Sequence, residues 1–452
     1  MTHTQDTICA ISTAPGIGGI AVIRVSGPTA IQIVKKVWKG QPIVDMPTHT
    51  VHLGSIVETD GSAIDQAVLT IFRAPGSYTG EDTVELSIHG SRFVQRRAVE
   101  LLIEAGARLA EAGEFTRRAF VAGHLDLAQA EAVADVIASN SKAAHRIAMN
   151  QMRGGFSQRL AALRDKLIEL ASLLELELDF SEEEVEFASR HQLLAIAERV
   201  RDEVGRLHRS FESGQAIKEG IPVAIVGPTN AGKSSLLNAL LGDDRAIVSN
   251  IPGTTRDTIE ETLEIEEYLF RFIDTAGLRH TSDEIERIGI DRSRQAIKKA
   301  RIVIAVTDVK EPIAQSLCDE IASVPYRIWV FNKVDLIGDK KSNFVPDCPT
   351  IELSAKTGKG IERLREALLD AARQENGNAD EGVMVSNLRH ALALENAYNS
   401  IQRVIDGLQS ALSGDLVAQD LRDTIHHLGA ITGTITTPDI LQTIFSRFCI
   451  GK

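Results

Sequence analysis

Cysteine is scarce in this chain: four residues in 452, Cys9, Cys318, Cys348 and Cys449, far apart and without Cys-x-x-Cys spacing. That pattern argues against a disulfide framework and against a structural zinc site. Long apolar runs are missing too. A bilayer span needs ~18 or more consecutive apolar residues, whereas the longest stretches here, such as Val223–Val226 and Ile302–Val306, are strand-sized. The opening residues, Met1–Asp6, are polar and lack a basic start followed by an apolar stretch, so no secretory signal is expected and the chain is expected in the cytoplasm. Positive charge is in deficit, with 49 Lys and Arg against 62 Asp and Glu and a net charge of −13. Nonspecific nucleic-acid affinity comes mainly from Lys and Arg displacing counterions, so any RNA contact is expected to be local or borrowed from a partner. No internal repeat is visible.

What is present is an ordinary globular composition, 43% hydrophobic and 25% charged, over a length that suggests two to four domains. The first ~115 residues mix short apolar runs (Ile8–Ile11, Ile20–Val25, Val68–Phe72) with Gly and Pro, and Asp60-Gly61 is a tight-turn signal. This predicts an α+β domain. From Ala119 the texture changes to Ala-, Leu-, Glu- and Arg-rich stretches with helical spacing, Leu125–Ile147 and Leu160–Leu178. The acidic stretch Glu175–Glu186 reads as a solvated helix start or loop. Between Ile221 and Gln374, apolar strands near Val223–Val226, Leu269–Ile273, Ile302–Val306, Ile328–Phe331 and Thr350–Leu353 alternate with helical stretches, which predicts a parallel sheet covered on both faces. A polar linker, Glu375–Glu381, precedes further helices, one of which places Ile440, Leu441, Ile444, Phe445 and Phe448 on a shared face. The expected fold is therefore multidomain α+β and α/β. It comprises an N-terminal domain over 1–118, an all-helical domain in two parts, 119–217 and 378–452, and a P-loop nucleotide domain, 218–377, inserted between them.

The strongest signal is Gly227-Pro-Thr-Asn-Ala-Gly-Lys-Ser234, which fits GxxxxGK[ST] between a strand and a helix over Ser235–Leu241. Its backbone N–H groups form an anion cradle, Lys233 reaches the outer phosphates and the Ser234 hydroxyl can ligate magnesium. Asp274-Thr-Ala-Gly277 ends the next strand, where Asp274 can hold the magnesium shell and the Gly277 N–H can sense the γ-phosphate. Asn332-Lys-Val-Asp335 offers a carboxylate to the two guanine N–H groups, a pair that adenine lacks, and Ser354-Ala-Lys356 completes a GTPase set. Gly253-Thr-Thr-Arg-Asp257 supplies Thr255 as a second magnesium ligand. The residues expected from these motifs to contact GTP are Asn230, Ala231, Gly232, Lys233, Ser234 and Ser235, then Gly253, Thr254 and Thr255, then Asp274, Thr275, Ala276 and Gly277, and finally Asn332, Lys333, Asp335, Ser354 and Ala355. Leu278 stands where Ras-like proteins place the glutamine that orients water, which leaves Arg279, Asp283, Glu284 and Glu286 as candidates for that task. Asn230 offers a side-chain oxygen beside the phosphates for a monovalent cation.

With these motifs in place the chain resembles the MnmE (TrmE) family of tRNA-modification GTPases over essentially its whole length. The resemblance is carried by Pro15-Gly-Ile-Gly-Gly-Ile-Ala-Val-Ile-Arg-Val-Ser-Gly27, Tyr78-Thr-Gly-Glu-Asp-Thr-Val-Glu85, Gly113-Glu-Phe-Thr-Arg-Arg-Ala-Phe120, Leu125-Asp-Leu-Ala-Gln-Ala-Glu131 and the closing Cys449-Ile-Gly-Lys452. It implies an N-terminal domain that binds a methylene- or formyl-tetrahydrofolate and mediates homodimerisation, with Arg24, Glu85, His124 and Lys452 at the folate. His124 stands where the family commonly has Lys or Arg, and a neutral imidazole is a weaker partner for an anion. It further implies that Ser249, Asn250, Ile251 and Pro252 join the GTP contacts, that potassium is held by Asn230, Ser249, Ile251 and Thr254, that G domains dimerise around that ion, that Glu286 orients the attacking water, and that Cys449 is a second catalytic candidate. The implied reaction adds an aminomethyl-type or carboxymethylaminomethyl group to the wobble uridine of certain tRNAs, in a heterotetramer with the flavin-dependent MnmG (GidA) protein. The alternative reading is a regulatory ribosome-assembly GTPase, although such relatives carry a basic RNA-binding domain or tandem G domains.

Overall fold

The computed structural model describes residues 6–179, 190–242, 261–273, 294–310, 315–336, 347–376, 383–410, 412–446 and 448–451. In chain order the elements begin with β1 (Ile8–Ile11), β2 (Ile20–Ser26), α1 (Ala30–Val37), β3 (Trp38–Gly40), β4 (Thr50–Val57), β5 (Ala63–Phe72), β6 (Thr83–His89), α2 (Arg92–Glu104) and β7 (Arg108–Leu109). Helices follow: α3 (Glu114–Val121), α4 (Leu127–Ala138), α5 (Lys142–Met152), α6 (Gly155–Asp179), α7 (Arg190–Arg209) and α8 (Phe211–Glu219). The nucleotide segment contains β8 (Ile221–Val226), α9 (Lys233–Leu241), β9 (Glu261–Ile265), β10 (Tyr268–Phe272), β11 (Ile302–Asp308), α10 (Gln315–Ile321), β12 (Tyr326–Asn332), β13 (Thr350–Glu352) and α11 (Ile361–Asn376). The chain closes with α12 (Leu388–Gln409), α13 (Gly414–Thr432) and α14 (Pro438–Phe445).

Contacts divide the chain into two compact units, one of residues 1–134, 152–164 and 425–452, the other of 135–151 and 165–424. In the first unit a seven-stranded sheet runs β3-β4-β5-β6-β2-β1-β7, antiparallel throughout except for the β1–β7 pair. The Asp60-Gly61 turn joins β4 to β5, closed by the Glu58 N–H donating to the Ser62 carbonyl. Alternate residues of β2 and β6 (Ala21, Ile23, Val25; Val84, Leu86, Ile88) are buried under α1 and α2, the period-2 pattern of a sheet with one packed face. At the other end of this unit, Phe445 and Phe448 bury against Leu127 and Ala130, with Phe120 and Leu441 alongside. Of the face expected on the last helix, Ile440 is the exception, 39% exposed. It lies in the first turn of α14, outside that cluster, and Phe448 follows the helix rather than belonging to it.

The second unit holds a six-stranded sheet, β13-β12-β11-β8-β10-β9. Five strands are parallel as expected, and β9 adds an antiparallel edge paired along β10. Because side chains alternate across a strand, Val223, Ile225, Ile302, Ile304, Ile328 and Val330 build the core on one face. Ala224, Val226, Val303, Ala305, Trp329 and Phe331 build the core on the other. Helices α7 and α12, which flank this sheet in sequence, pack along each other in space, and a Cβ added at Gly205 would lie 3.0 Å from the Tyr398 ring. The expected continuous helical stretch Leu125–Ile147 is broken between α4 and α5. There the Ser141 hydroxyl accepts from the Ala144 N–H at 3.2 Å and the Ala143 N–H donates to the Glu267 carbonyl, so a new helix start is capped. Among the described residues no helix is long and apolar enough to cross a membrane.

Candidate functional site

Parallel strands deliver their C-terminal ends to one edge of the sheet, the place where such folds bind ligands. Here β8 leads into Gly227–Ser234, β12 ends on Asn332 and β13 leads to Ser354. Asn332, 2% exposed, ties the three together. Its Nδ2 donates to the Ala231 carbonyl at 2.9 Å, while its Oδ1 accepts from the N–H groups of Lys333 at 2.8 Å and Ala355 at 3.0 Å. A buried amide with all these bonds made is a brace rather than a free reader. Gly232 is part of the same joint: its φ of +93° favours glycine, and any Cβ there would collide with the Asn332 amide nitrogen.

Asp335 is the neighbouring polar residue that this joint leaves exposed. Its carboxylate is exposed at the end of this joint and accepts the Ser354 hydroxyl at 2.6 Å. That hydrogen bond, above all, holds the Asp335 carboxyl below the usual carboxylate range, so it is an anion poised to accept N–H donors. Lys333 sits in a left-handed conformation, φ +65°, with its ammonium 2.9 Å from Asp308. Burial raises the Asp308 pKa, but the N–H of Lys310 and the Lys333 ammonium outweigh it and keep the group low. Asp308 was not singled out from sequence. It lies 25 residues away and meets Lys333 only because it stands opposite Asn332 in the β11–β12 register.

At the phosphate end the Lys233 ammonium donates to the carbonyls of Gly227 at 2.8 Å and Pro228 at 2.7 Å. Burial lowers its pKa, a cost that a phosphate group would relieve. Ala231 is buried, Ser234 and Ser235 lie exposed in the first turn of α9, and Asn230 is exposed at φ +62°. The structure thus brings together Asn230, Ala231, Gly232, Lys233, Ser234, Ser235, Asn332, Lys333, Asp335, Ser354 and Ala355. Residues Ser249 to Thr255, Asp274 to Gly277, and Glu286 lie outside the described residues, as do Arg279, Asp283 and Glu284.

A second constellation lies in the first unit. Arg24 of β2 and Glu85 of β6 are register partners, joined by bonds of 2.9 and 2.8 Å with side chains 16% and 26% exposed. The guanidinium lies 5.3 Å from the Tyr78 ring centre and 5.5 Å from that of Phe115, within cation–π range, and the Tyr78 hydroxyl hydrogen-bonds Thr116 at 2.9 Å. Both rings fall within the sequence motifs, but periodicity gives no sign that they lie close to Arg24. His124 is exposed, beside Gly80. The motif Gly113–Phe120 has a structural explanation too. Fully buried Glu114 accepts from Arg108 at 2.7 Å, Arg118 at 3.0 Å and the Glu111 N–H at 2.8 Å, and Arg118 reaches on to Asp6 and Glu81. Cys449 is exposed, and Lys452 lies outside the described residues.

Comparison with known proteins matches residues 7–124 to "GTP-binding protein TrmE N-terminus" and residues 127–449 to "MnmE helical domain". The tRNA modification GTPase MnmE of Parabacteroides distasonis is 48% identical over 99% of this chain and 100% of that protein. This chain belongs to the MnmE family. The MnmE of Cytophaga hutchinsonii is 46% identical over 100% of the chain and 99% of its own length. Among solved structures, the G domain of the T. maritima FeoB iron transporter is 28% identical, covering 34% of this chain and 98% of that one with a TM-score of 0.25.

Proposed function

We propose that this chain, a GTP-hydrolysing member of the MnmE family, couples GTP hydrolysis to the addition of an aminomethyl-type or carboxymethylaminomethyl group at the wobble uridine of certain tRNAs. The observation that carries this reading is the joint in which buried Asn332 braces three loops beside the exposed Asp335 carboxylate, which accepts the Ser354 hydroxyl and has further lone pairs that can accept two N–H groups. Guanine offers that pair of donors. Magnesium would be held by Ser234 and Thr255 and would neutralise phosphate charge. Potassium would be held by Asn230 with Ser249, Ile251 and Thr254, and G domains of two copies would meet around it. Glu286 is the proposed water-orienting carboxylate.

In the same reading the first 118 residues bind folate and form the homodimer, 119–217 and 378–452 form the helical domain, and 218–377 form the G domain. A bound methylene-tetrahydrofolate supplies the one-carbon unit. The Arg24–Glu85 pair suits such a ligand: a cation for its glutamate tail, with two aromatic rings close to the guanidinium, and a carboxylate for the N–H donors of its pterin. His124 and Lys452 complete the proposed contacts, and Cys449 is the proposed thiol near the reacting carbon. The partner is the flavin-dependent MnmG protein, and the place of action is the cytoplasm.

The test is mass analysis of wobble nucleosides from tRNA incubated with this protein, its flavin partner, methylene-tetrahydrofolate, glycine or ammonium, and GTP. Modified uridine is expected only in the complete mixture. Product that persists without GTP would separate the modification from the nucleotide site. Hydrolysis is also expected to run faster in potassium than in sodium at equal ionic strength, with Asn230→Ala flattening the difference.

A further inference from the structure

Asp308 ends β11, outside the motifs that mark the nucleotide site, yet it is buried and both of its carboxylate oxygens are engaged. Oδ1 accepts the Lys310 N–H at 3.0 Å, a local bond that turns the chain out of the strand. Oδ2 accepts the Lys333 ammonium at 2.9 Å. The Val309 N–H also donates to the Asn332 carbonyl at 3.1 Å, so the exits of β11 and β12 stay fastened beyond their last ladder pair, Asp308 opposite Asn332.

Lys333 is the residue at which the chain leaves β12 for the short 3₁₀ turn Val334–Leu336, which carries Asp335. Its φ of +65° is a conformation that a residue with a side chain keeps only where its surroundings hold it. Local bonds contribute: its N–H donates to Asn332 Oδ1 at 2.8 Å, and its carbonyl accepts the Leu336 N–H at 3.0 Å. The bond that reaches it from another strand is the ion pair with Asp308, in which the side chains of Lys333 and Asp308 are 32% and 12% exposed. A charge-assisted hydrogen bond set this far from solvent is worth more than a surface pair.

We infer that Asp308 is a positioning residue for base selection: by holding the Lys333 ammonium it fixes the turn out of β12, and with it the place of the Asp335 carboxylate two residues on. This rests on the reading of Asp335 as the acceptor of two guanine N–H groups. Two donors on one ring meet one carboxylate only when its oxygens lie in line with both, so a displaced carboxylate loses the match before it loses all contact. The Ser354 hydroxyl tethers Asp335 Oδ1 at 2.6 Å, and Asp308 sets the backbone from which that side chain departs.

The experiment compares the full-length protein with Asp308→Asn, Lys333→Met and the double variant, by equilibrium titration with GDP and with inosine diphosphate, whose base lacks the amino group of guanine. Asparagine keeps an oxygen for the Lys310 N–H and removes only the charge that faces Lys333. Asp308→Asn is expected to weaken GDP roughly 3- to 30-fold, the range for one charge-assisted hydrogen bond with a partly exposed partner, and to weaken inosine diphosphate less, so that the preference for GDP narrows. Lys333→Met is expected to narrow it too, with Asp308→Asn adding nothing further in the double variant. Unchanged GDP affinity in Asp308→Asn, equal losses for both nucleotides, or additive losses in the double variant overturns the inference, because each leaves Asp308 a fastening of the sheet with no part in base selection. If Asp308→Asn does not fold, Lys333→Met decides: a wild-type preference for GDP in that variant also overturns the inference. Failure of the guanine reading is separately visible, because the wild-type protein would then bind GDP no better than ADP.

Discussion

The proposed guanine site and the proposed folate site around Arg24 and Glu85 handle charge in opposite ways. At the guanine pocket, hydrogen bonds among Asn332, Ala231, Lys333 and Ala355 are completed within the protein, and the reading group, Asp335, is an exposed anion touched by one hydroxyl. A base can add its bonds there without breaking any between charged groups. At the proposed N-terminal site the two charged groups are bonded to each other, so a ligand bound there would have to exchange that ion pair for contacts of its own. The difference teaches where selectivity comes from. A preorganised pocket rejects a base that lacks the matching donors, because Asp335 is then left without them. A pocket closed by an ion pair rejects any ligand that cannot satisfy both the cation and the carboxylate, because leaving either one unpaired is costly.

Changing the reader should have the largest effect. Asp335→Asn replaces the acceptor of two N–H groups with an amide that offers one donor and one acceptor, and a site built to hydrogen-bond its ligand loses on the order of 10⁴-fold when that match fails. Equilibrium titration should show GTP affinity collapsing and xanthosine triphosphate binding appearing; tight GTP binding in the mutant would remove the contrast between the pockets. Glu286→Ala should come next, slowing hydrolysis by roughly 10² to 10⁴ while GTP affinity stays within a few-fold. Unchanged single-turnover rates would reduce Glu286 to a surface charge.

The N-terminal pocket is sharpened through its foundation. Glu114 is fully buried among arginines; burial acts to raise its pKa, but the bonds from Arg108, Arg118 and the Glu111 N–H prevail and hold it low. Removing one partner of such a buried set costs about 3–5 kcal/mol, so Glu114→Gln should speed amide exchange in α3 of the full-length protein. The sign for pH follows from the lowered carboxyl. Its stabilisation is fully present above the unfolded value of ~4.3 and is lost as pH falls through the lower folded value. The wild-type protein should therefore lose protection of α3 between pH 5 and more acid solution, and the mutant should show a flatter dependence; identical profiles would mean that Glu114 contributes no charge-linked stability. The smallest effect belongs to the ion pair itself. A double-mutant cycle of Arg24→Ala and Glu85→Ala on folate affinity should give a coupling of about 0.5–3 kcal/mol, whereas additive losses would show that the ligand meets the two side chains independently.

How much could be read beforehand differs between the pockets for a physical reason. The proposed nucleotide site is written in short motifs at strand ends, so Lys233 at its phosphate end and Asp335 and Ser354 at its base end are legible one by one. The joint that unites them was not, because the Asn332–Ala231 bond spans 101 residues and depends on strand order. The five parallel strands followed from buried apolar runs; β9 escaped because only Leu263 and Ile265 of its residues are buried. In the N-terminal region Arg24 and Glu85 are named through resemblance, while the rings of Tyr78 and Phe115 reach the Arg24 guanidinium from a loop and from α3, across the fold. The break between α4 and α5 depends on a cap from Glu267, far along the chain, which helical spacing cannot reveal.

The most direct measurement joins nucleotide recognition to tRNA chemistry. Asp335→Asn protein, with its flavin partner, folate, glycine or ammonium, and tRNA, is given either GTP or xanthosine triphosphate, and the wobble nucleosides are weighed by mass spectrometry. Modified uridine should form with xanthosine triphosphate and fail with GTP, the reverse of the wild-type protein. Equal modification with either nucleotide, or with neither present, would contradict the claim that the guanine pocket drives the reaction.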